Sequence, residues 1–406
     1  MRVPLKAWAT AALLAFAGLT CFSLGLSNPS QLYYDEPQYV TSARALLTSS
    51  PNPNPEAPPL GKILIAAGIR IFGDNPVGWR SPGVLFGALI LAGVFVWVYL
   101  LLDDYGLALT AAALTLFNNF LFVMSRVAMM DVYLVAFVIW GLIAFTAVLK
   151  LNGLTTLRAR SLLIFSGIMF GFACACKWNG VDTLVATAGL AAWLWFLRPV
   201  SAEMAEYKVR FQQIGMSYVA ASLFLVPIVA YCLTYWPLCR SLHQRFGLTE
   251  LAAMNLFIWR FHRAVHGNPT IVSDWYTWPL QVAPQRALSY LVGNWFLMWT
   301  GLLAIAVCAR RFLRAMPETF IVLLYAANLL QWAVTPQSCL YYYYYFPAAT
   351  FLSIAIPLGI QQVRSRTVRS RLILVSVSAS MFVFAFCFAH MAHLASPYDS
   401  AFGYWV

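Results

Sequence analysis

The chain has 406 residues, of which 61% are hydrophobic and only 10% are charged, and its formal net charge is +12. Soluble domains have roughly 25% charged and about 45–50% apolar residues, so this composition excludes an ordinary soluble domain. The apolar runs are continuous and about 15–23 residues long, as membrane-crossing helices require, whereas barrel strands would alternate with a period of two. The sequence therefore predicts an all-α polytopic membrane protein.

About eleven apolar segments are predicted to cross the membrane as helices, since a helix of about 20 apolar residues spans a bilayer core. In chain order they are Ala7–Leu26, Val84–Leu102, Leu107–Met124, Val132–Leu149, Leu162–Cys176, Val181–Leu197, Ile214–Tyr235, Leu288–Cys308, Phe320–Val334, Phe346–Ile360 and Leu372–Leu394. The first is predicted to be an anchor rather than a signal peptide, because it is long and no clean small-x-small site precedes Asn28.

Two connecting segments, 27–82 and 236–285, are too long to be simple loops. Both keep apolar residues at helical spacing, which is typical of helices along a membrane surface. In the first segment a second short helix is predicted at Ile63–Phe72, after a helix whose shared face is Tyr39, Val40, Ala43, Leu46 and Leu47. The whole chain, 1–406, is predicted to be a single domain in which residues 286–406 form a C-terminal region of four membrane helices.

The distribution of basic residues predicts the orientation. With the N-terminus inside, more than half of the 26 Lys and Arg residues fall on the cytoplasmic side, and most acidic residues fall outside. This follows the positive-inside rule, so both long segments are predicted to be non-cytoplasmic. The positive net charge is thus a topology signal, and no nucleic-acid partner is expected.

The acidic pair Asp35-Glu36 follows the first predicted span closely. Carboxylates near hydrocarbon are costly unless they are solvated or partnered, which favours a functional role. The alternative is a solvated loop with Glu36 near a helix N-terminus, where the helix dipole favours a negative charge. The pair alone does not decide between these interpretations.

Cations are predicted on the same outer face. The turn Pro58-Pro59-Leu60-Gly61-Lys62 brings Lys62 onto a surface helix, and Arg126 and Asp131 flank a short hairpin. Arg126 and Asp131 either pair with each other, or Arg126 binds a phosphate and Asp131 orients it.

The second long segment contains His262 and His266, whose spacing would suit zinc on one helix face. Gly267-Asn268-Pro269 ends that helix and no third ligand is evident, so interfacial packing or substrate binding is preferred to a metal site. The run Tyr341–Tyr345 fits either an aromatic belt or the mouth of a cavity for a sugar or a lipid phosphate.

Taken in order, these pieces resemble the protein O-mannosyltransferase family, whose members use dolichyl- or polyprenyl-phosphate mannose. The matching motifs are Asp35-Glu36, Pro58-Pro59-Leu60-Gly61-Lys62, Gly78-Trp79-Arg80-Ser81-Pro82, Ser125-Arg126 with Met129-Met130-Asp131, Lys177-Trp178-Asn179-Gly180, the two histidines, Ser273 with Trp275-Tyr276-Thr277-Trp278-Pro279, and Gly293-Asn294. The resemblance covers most of the chain. It implies the GT-C fold with eleven spans and an active site on the periplasmic or lumenal side.

The resemblance also implies roles for individual residues. Asp35 would be the catalytic base, and Glu36 its neighbour that orients the acceptor or tunes the pKa. Arg126 is the first candidate for the donor phosphate and Lys62 the second, with Asp131 holding Arg126. The residues implied on the acceptor and sugar side are His262, His266, Trp275, Trp278 and Tyr343.

A single base and one direct displacement imply inversion at the anomeric carbon. The expected donor is a lipid-linked sugar phosphate, most simply mannose, and the acceptor is a Ser or Thr hydroxyl of a secreted or membrane protein. No cofactor is expected beyond this donor and the surrounding membrane lipid, while a metal requirement and the oligomeric state are left open.

Two departures from the family pattern keep alternatives open. Ala57 stands where the family often has His, and the stretch Gln337–Tyr345 has neither Arg nor His. One alternative is a GT-C transferase that moves another sugar, such as aminoarabinose, to a lipid or glycan. Another is a lipid flippase or transporter, which would place charges at mid-membrane instead of at the outer boundary. Because the chain is compact and has no MIR domain, the bacterial inner membrane is preferred to the endoplasmic reticulum.

Overall fold

The computed structural model describes residues 3–196, 198–265, 273–281, 291–335 and 339–392, and all regular structure within these ranges is helical. The α-helices are α1 (Leu5–Ser23), α2 (Glu36–Thr48), α3 (Leu60–Phe72), α4 (Pro76–Leu102), α5 (Tyr105–Leu116), α6 (Asn119–Ser125), α7 (Asp131–Lys150), α8 (Thr156–Cys176), α9 (Gly180–Phe196), α10 (Ala202–Ile214), α11 (Met216–Ala220), α12 (Val226–Leu233), α13 (Tyr235–Ser241), α14 (Leu248–Ala264), α15 (Trp295–Ala309), α16 (Met316–Val334), α17 (Phe346–Gln361) and α18 (Arg366–Met391). A π-helical turn, Ala221–Leu225, joins α11 to α12, and Trp275–Leu280 and Tyr342–Tyr345 are 3₁₀-helices.

Each predicted membrane segment overlaps at least one of these helices. In the segment Leu107–Met124, α5 and α6 are bent by 60° at a short break. Seven helical stretches in the described ranges are long and apolar enough to cross a membrane, or eight if the bent pair forms one span. The prediction of an all-α polytopic fold is confirmed, whereas the count of eleven crossings stays a prediction.

Local sequence signals explain where several helices begin. Asn75 accepts hydrogen bonds from the Val77 and Gly78 amides, and the Pro at the first position of α4 needs no such partner. Thr155 caps α8 and Ser365 caps α18 in the same way. These caps satisfy the unpaired amides that every helix start leaves.

The centre of the bundle is formed by α4, α7 and α17, which are mostly buried, while α1 and α18 expose apolar faces. Trp97 on α4 is fully buried, and its indole Nε1 donates to Thr146 Oγ1 on α7 at 2.9 Å. A bilayer would cover the exposed apolar faces of the outer helices. The central helices therefore form the rigid support for the loops at their ends.

The first long connecting segment folds as α2 and α3, which pack against each other and then onto α4. The close approach requires Gly68, because a Cβ there would lie 2.3 Å from Gly78 O. On α2, Val40 and Ala43 are buried but Leu47 is exposed, so the buried face is narrower than predicted. The helix predicted from Ile63 begins earlier, at Leu60.

Candidate active site

The start of α2 is held by a buried ion pair between Glu36 and Arg80. Both side chains are fully buried, and Arg80 Nε and Nη2 donate to the two Glu36 carboxylate oxygens at 2.8 and 2.9 Å. The Ala128 amide, at the hairpin between α6 and α7, donates to Glu36 Oε1 at 2.9 Å. The pair therefore joins α2, α4 and this hairpin at one point.

Arg80 uses all five of its N–H donors. The three that do not reach Glu36 bind the carbonyls of Leu26, Pro29 and Gln31 at 2.8–3.1 Å. A planar guanidinium suits this arrangement because its donors are fixed in one plane. Since Glu36 is enclosed by these partners, it is not placed to touch an acceptor, contrary to one of its two expected roles.

Asp35 immediately precedes α2 and is only partly buried. The hydroxyl of Tyr343 donates to Asp35 Oδ2 at 2.7 Å. Burial raises the pKa of the Asp35 carboxyl above its ordinary value, while the bond from Tyr343 and the charge of Lys177 oppose that increase. A carboxylate with a raised pKa is a stronger base for a hydroxyl proton. Tyr343, expected on the sugar side, instead contacts the candidate base.

A second ion pair, between Lys177 and Asp131, lies near Tyr343, the partner of Asp35. Lys177 Nζ lies 2.9 Å from Asp131 Oδ1, and the Lys side chain is 18% exposed while the Asp side chain is 3% exposed. Lys177 Nζ also lies 3.9 Å from the centre of the Tyr344 ring and 5.1 Å from that of Tyr343. Asp131 thus pairs with Lys177, and the expectation that it holds Arg126 is wrong.

Arg126 is bound to backbone carbonyls. Its guanidinium donates to the carbonyls of Phe22, Leu24 and Gly25 at the end of α1. The residue is 3% exposed, and its charge lies 4.9 Å from the centre of the Phe122 ring. These contacts attach α1 to the hairpin after α6, and they leave Arg126 poorly placed to bind a donor phosphate.

Lys62, like Arg126, is hydrogen-bonded to backbone carbonyls. It is 1% exposed, and its ammonium donates to the carbonyls of Asn54 and Ala57, the latter at 2.7 Å. Burial lowers the pKa of Lys62 to about 7, with the charge of Glu56 acting in the opposite direction. Lys62 therefore supports the segment before α3 and is not among the residues that line the nearby cavity.

That cavity has a volume of about 280 Å³. It lies between α2, α14, the turn from α8 to α9, and the end of α16. Its lining residues are Tyr39, Ala57, Pro58, Met130, Cys176, Lys177, Trp178, Asn179, Ile258, Trp259, His262, Arg263, Gln331, Trp332, Thr335 and Tyr344. Lys177 lines the cavity, and Asp35, the expected base, is hydrogen-bonded to Tyr343, which directly precedes the lining residue Tyr344.

His262 is the expected acceptor-side residue that lines the cavity. Its Nε2 lies 3.1 Å from the carbonyl oxygen of Glu56. A carbonyl only accepts, so Nε2 carries the proton in this contact. Burial lowers the pKa of His262, so the neutral imidazole is favoured. His266 lies outside the described residues, and no group of three or more His, Cys, Asp or Glu side chains that could hold a metal occurs within them.

The two expected tryptophans do not line the cavity. Trp278 is 1% exposed, and its indole donates to Ser273 Oγ at 2.7 Å. Its ring packs edge-on against Trp332, with the ring centres 5.9 Å apart, and Trp332 does line the cavity. Trp278 therefore supports the wall from behind. Trp275 is partly buried and contacts Tyr276.

Sequence reasoning missed the role of Lys177, although the motif Lys177-Trp178-Asn179-Gly180 contained the signal. Lys177 follows a membrane helix on the predicted outer side, where the positive-inside rule makes Lys less frequent. Gln331 and Trp332 carry no comparable signal, because they lie inside an apolar helix with no motif around them.

The fold is similar to that of known membrane glycosyltransferases. The S. cerevisiae protein O-mannosyltransferase Pmt1-Pmt2 complex bound to the sugar donor matches with a TM-score of 0.79 over 97% of this chain and 91% of that chain, at 12% identity. ArnT from Cupriavidus metallidurans bound to undecaprenyl phosphate matches with a TM-score of 0.63 over 94% of this chain and 69% of that chain, at 13% identity. The chain therefore has the fold of the GT-C glycosyltransferases.

Sequence comparison identifies the family. Residues 12–243 match the dolichyl-phosphate-mannose-protein mannosyltransferase family. The polyprenol-phosphate-mannose–protein mannosyltransferase of Mycobacterium tuberculosis is 25% identical over 88% of this chain and 82% of its own length. That of Mycolicibacterium smegmatis is 31% identical over 43% of this chain and 39% of its own. The chain belongs to the dolichyl-phosphate-mannose-protein mannosyltransferase family and is a glycosyltransferase.

Proposed function

We propose that this protein transfers mannose from a polyprenyl phosphate to a Ser or Thr hydroxyl of a protein, with inversion at the anomeric carbon. The observation that carries the proposal is the placement of Asp35 and Lys177, a carboxylate and a cation, beside one cavity at the same end of the bundle. The names of the mycobacterial relatives support the same donor and acceptor classes.

Asp35 is the proposed base. As the acceptor oxygen attacks the anomeric carbon, its proton passes to Asp35, and the bond from that carbon to the phosphate oxygen breaks. The polyprenyl phosphate departs with the bonding electrons, so no general acid is required. A direct displacement with one base gives inversion, unlike the two-step route of retaining glycosidases.

Lys177 is the proposed contact for the donor phosphate and replaces Arg126 and Lys62 in that role. Lys177 and Arg263 both line the cavity, and Lys177 is the one that lies beside Tyr343, the hydrogen-bond partner of Asp35. Negative charge builds on the phosphate as the bond breaks, and a fixed cation there stabilises the transition state. Asp131 keeps Lys177 in position, and the Tyr344 ring supports its charge from one face.

The Glu36–Arg80 pair is proposed to position Asp35 without touching substrate. Because Glu36 opens α2 and is bound at both carboxylate oxygens, the preceding residue is held at a defined point. A fixed base geometry matters because a small displacement of a reacting group costs much of the rate.

The site is proposed to lie on the periplasmic or lumenal side, since the distribution of Lys and Arg places the loops that carry Asp35 and His262 outside. The mycobacterial relatives favour a bacterial plasma membrane. A lipid-linked donor suits this position, because its tail can remain in the bilayer while its head enters the cavity.

The test is sugar transfer in proteoliposomes from polyprenyl-phosphate mannose to Ser/Thr peptides, with wild type and Asp35→Asn compared. We expect transfer by wild type and a loss of at least about 100-fold in the variant, since general-base catalysis contributes roughly 10²–10⁴-fold. The matched control is Asp74→Asn, which removes an outer-loop carboxylate from a surface pair with Arg44 and should leave transfer nearly unchanged.

The outcomes separate the parts of the proposal. If wild type transfers nothing to peptides but mannosylates a lipid or glycan, the protein acceptor is wrong and the donor assignment stands. If Asp35→Asn retains wild-type activity, Asp35 is not the base.

A further inference from the structure

Two amide side chains face each other on the wall of the cavity. Asn179 lies in the turn between α8 and α9, and Gln331 lies near the end of α16; both are partly buried and line the cavity. Asn179 Nδ2 donates to Gln331 Oε1 at 3.2 Å. The residues are 152 positions apart in sequence, so only the packing of α9 against α16 brings them together.

The bond between the two amides leaves several of their polar groups open. Gln331 Nε2 lies 3.5 Å from the Asn328 carbonyl, at the limit of a hydrogen bond, and Asn179 Oδ1 accepts none within the described part of the chain. Each amide has two donor hydrogens and one acceptor oxygen. The pair therefore offers both donors and an acceptor to a ligand in the cavity.

The surroundings of the pair define what it would bind. Lys177 lines the same cavity as the two amides, so a phosphate bound at Lys177 would share the cavity with them. Trp332 follows Gln331, and its ring stacks on Tyr344 with the ring centres 4.8 Å apart, which gives that wall a flat aromatic surface. Neutral amides beside aromatic rings suit hydroxyl groups, which donate and accept, better than they suit a charged group.

We propose that Asn179 and Gln331 bind hydroxyl groups of the sugar on the lipid-linked donor and so determine which sugar is accepted. This inference rests on the proposed function, because it assigns the neighbour of the phosphate site to the sugar. A site built to hydrogen-bond hydroxyls rejects a ligand that lacks them or presents them differently, since its own polar groups are then left unpaired.

A binding experiment tests this without requiring catalysis. Polyprenyl phosphate and polyprenyl-phosphate mannose, with the same chain length, are titrated against the full-length protein in nanodiscs. We expect wild type to bind the mannosylated lipid more tightly. Asn179→Leu and Gln331→Met keep roughly the side-chain shape and remove the amide, so each should reduce that preference by about tenfold. Binding of the sugar-free lipid should not change.

Asn328→Leu is the matched control. Asn328 also joins α16 to α9, because its Nδ2 donates to Thr183 Oγ1 at 3.0 Å, but it is 1% exposed and does not line the cavity. This variant should lower the melting temperature and leave the preference for the mannosylated lipid intact. The comparison separates loosening of the two helices from loss of a ligand contact.

The inference is overturned if both amide variants keep the wild-type preference, or if they weaken both lipids equally. It is also overturned if wild type binds the two lipids with equal affinity. None of these results contradicts the proposed function as long as wild type still mannosylates peptides. Conversely, a lost preference in the variants supports the sugar subsite even if peptides prove to be the wrong acceptor.

Discussion

Removal of the Tyr343 hydroxyl should change the pH dependence of transfer. Tyr343 donates to Asp35 Oδ2 at 2.7 Å, and this bond stabilises the carboxylate form of Asp35. Burial raises the pKa of Asp35, and the bond from Tyr343 is one of the interactions that lower it. Without that bond, the effect of burial is opposed mainly by the charge of Lys177. The Tyr343→Phe variant should therefore have a higher Asp35 pKa than wild type.

The size of the shift follows from the strength of the bond. A hydrogen bond to a charged group contributes about 1.5–3 kcal/mol, and one pKa unit corresponds to about 1.4 kcal/mol. Because Asp35 is only partly buried, water can replace some of the lost interaction. We therefore expect the pKa to rise by about one unit, at the lower end of that range.

The sign of the activity change is fixed by the role of the base. Asp35 accepts a proton only as the carboxylate, so transfer is lost as the pH falls through its pKa. In Tyr343→Phe the acid limb of the kcat/KM profile should move to higher pH by about one unit. The assay is transfer from polyprenyl-phosphate mannose to a Ser/Thr peptide across the acidic and neutral range.

The control is Tyr342→Phe. The Tyr342 side chain is also buried, but its hydroxyl contacts Met298 Sδ at 3.8 Å and not the Asp35 carboxylate. Its removal should therefore leave the acid limb in place. An acid limb that does not move in Tyr343→Phe, or that moves equally in both variants, would refute the reasoning.

Three further perturbations probe the framework and the phosphate contact. Glu36→Gln leaves the buried Arg80 charge unpaired and should destabilise the protein by about 3–5 kcal/mol, which is measured as a lower melting temperature. An unchanged melting temperature would contradict the structural role of this ion pair. Lys177→Ala should weaken binding of sugar-free polyprenyl phosphate by about 10- to 100-fold, and Lys177→Arg should restore part of the affinity. If Lys177→Ala binds this lipid as tightly as wild type, Lys177 is not part of the phosphate site. Gly68→Ala drives a methyl group into α4 and should lower the stability of the protein by about 1–3 kcal/mol. Gly189→Ala, in a helix with open space around that position, should not lower the stability. Similar melting temperatures for the two variants would argue against the close contact between α3 and α4.

Several features of the candidate site could be predicted from local sequence. Asp35-Glu36 stands out because two carboxylates directly after a membrane span are expensive unless they have a role or a partner. The structure gives each its own environment: Glu36 is enclosed by Arg80, and Asp35 is left beside the cavity. Sequence could not separate these environments, since adjacent residues share every local signal.

The choice of partner for each charge was decided by tertiary packing. Arg126 and Asp131 are five residues apart, which favoured a pair, yet Asp131 meets Lys177 from the end of α8. Arg126 instead meets the carbonyls of Phe22 and Gly25, at and just beyond the end of α1. Such partners are about 46 and 100 positions away in sequence, so no spacing rule reaches them.

The sequence by itself determined the membrane class, the helical segments and the family, because hydrophobic length and short motifs are local properties. Only the tertiary structure decided which cations reach the cavity and which side chains form its wall. Lys62 and Arg126 donate their hydrogen bonds to backbone carbonyls, whereas the Lys177 side chain lines the cavity near Asp35. The physical reason is that a buried cation must find partners, and the fold determines whether those partners are the protein's own carbonyls or a carboxylate beside a cavity.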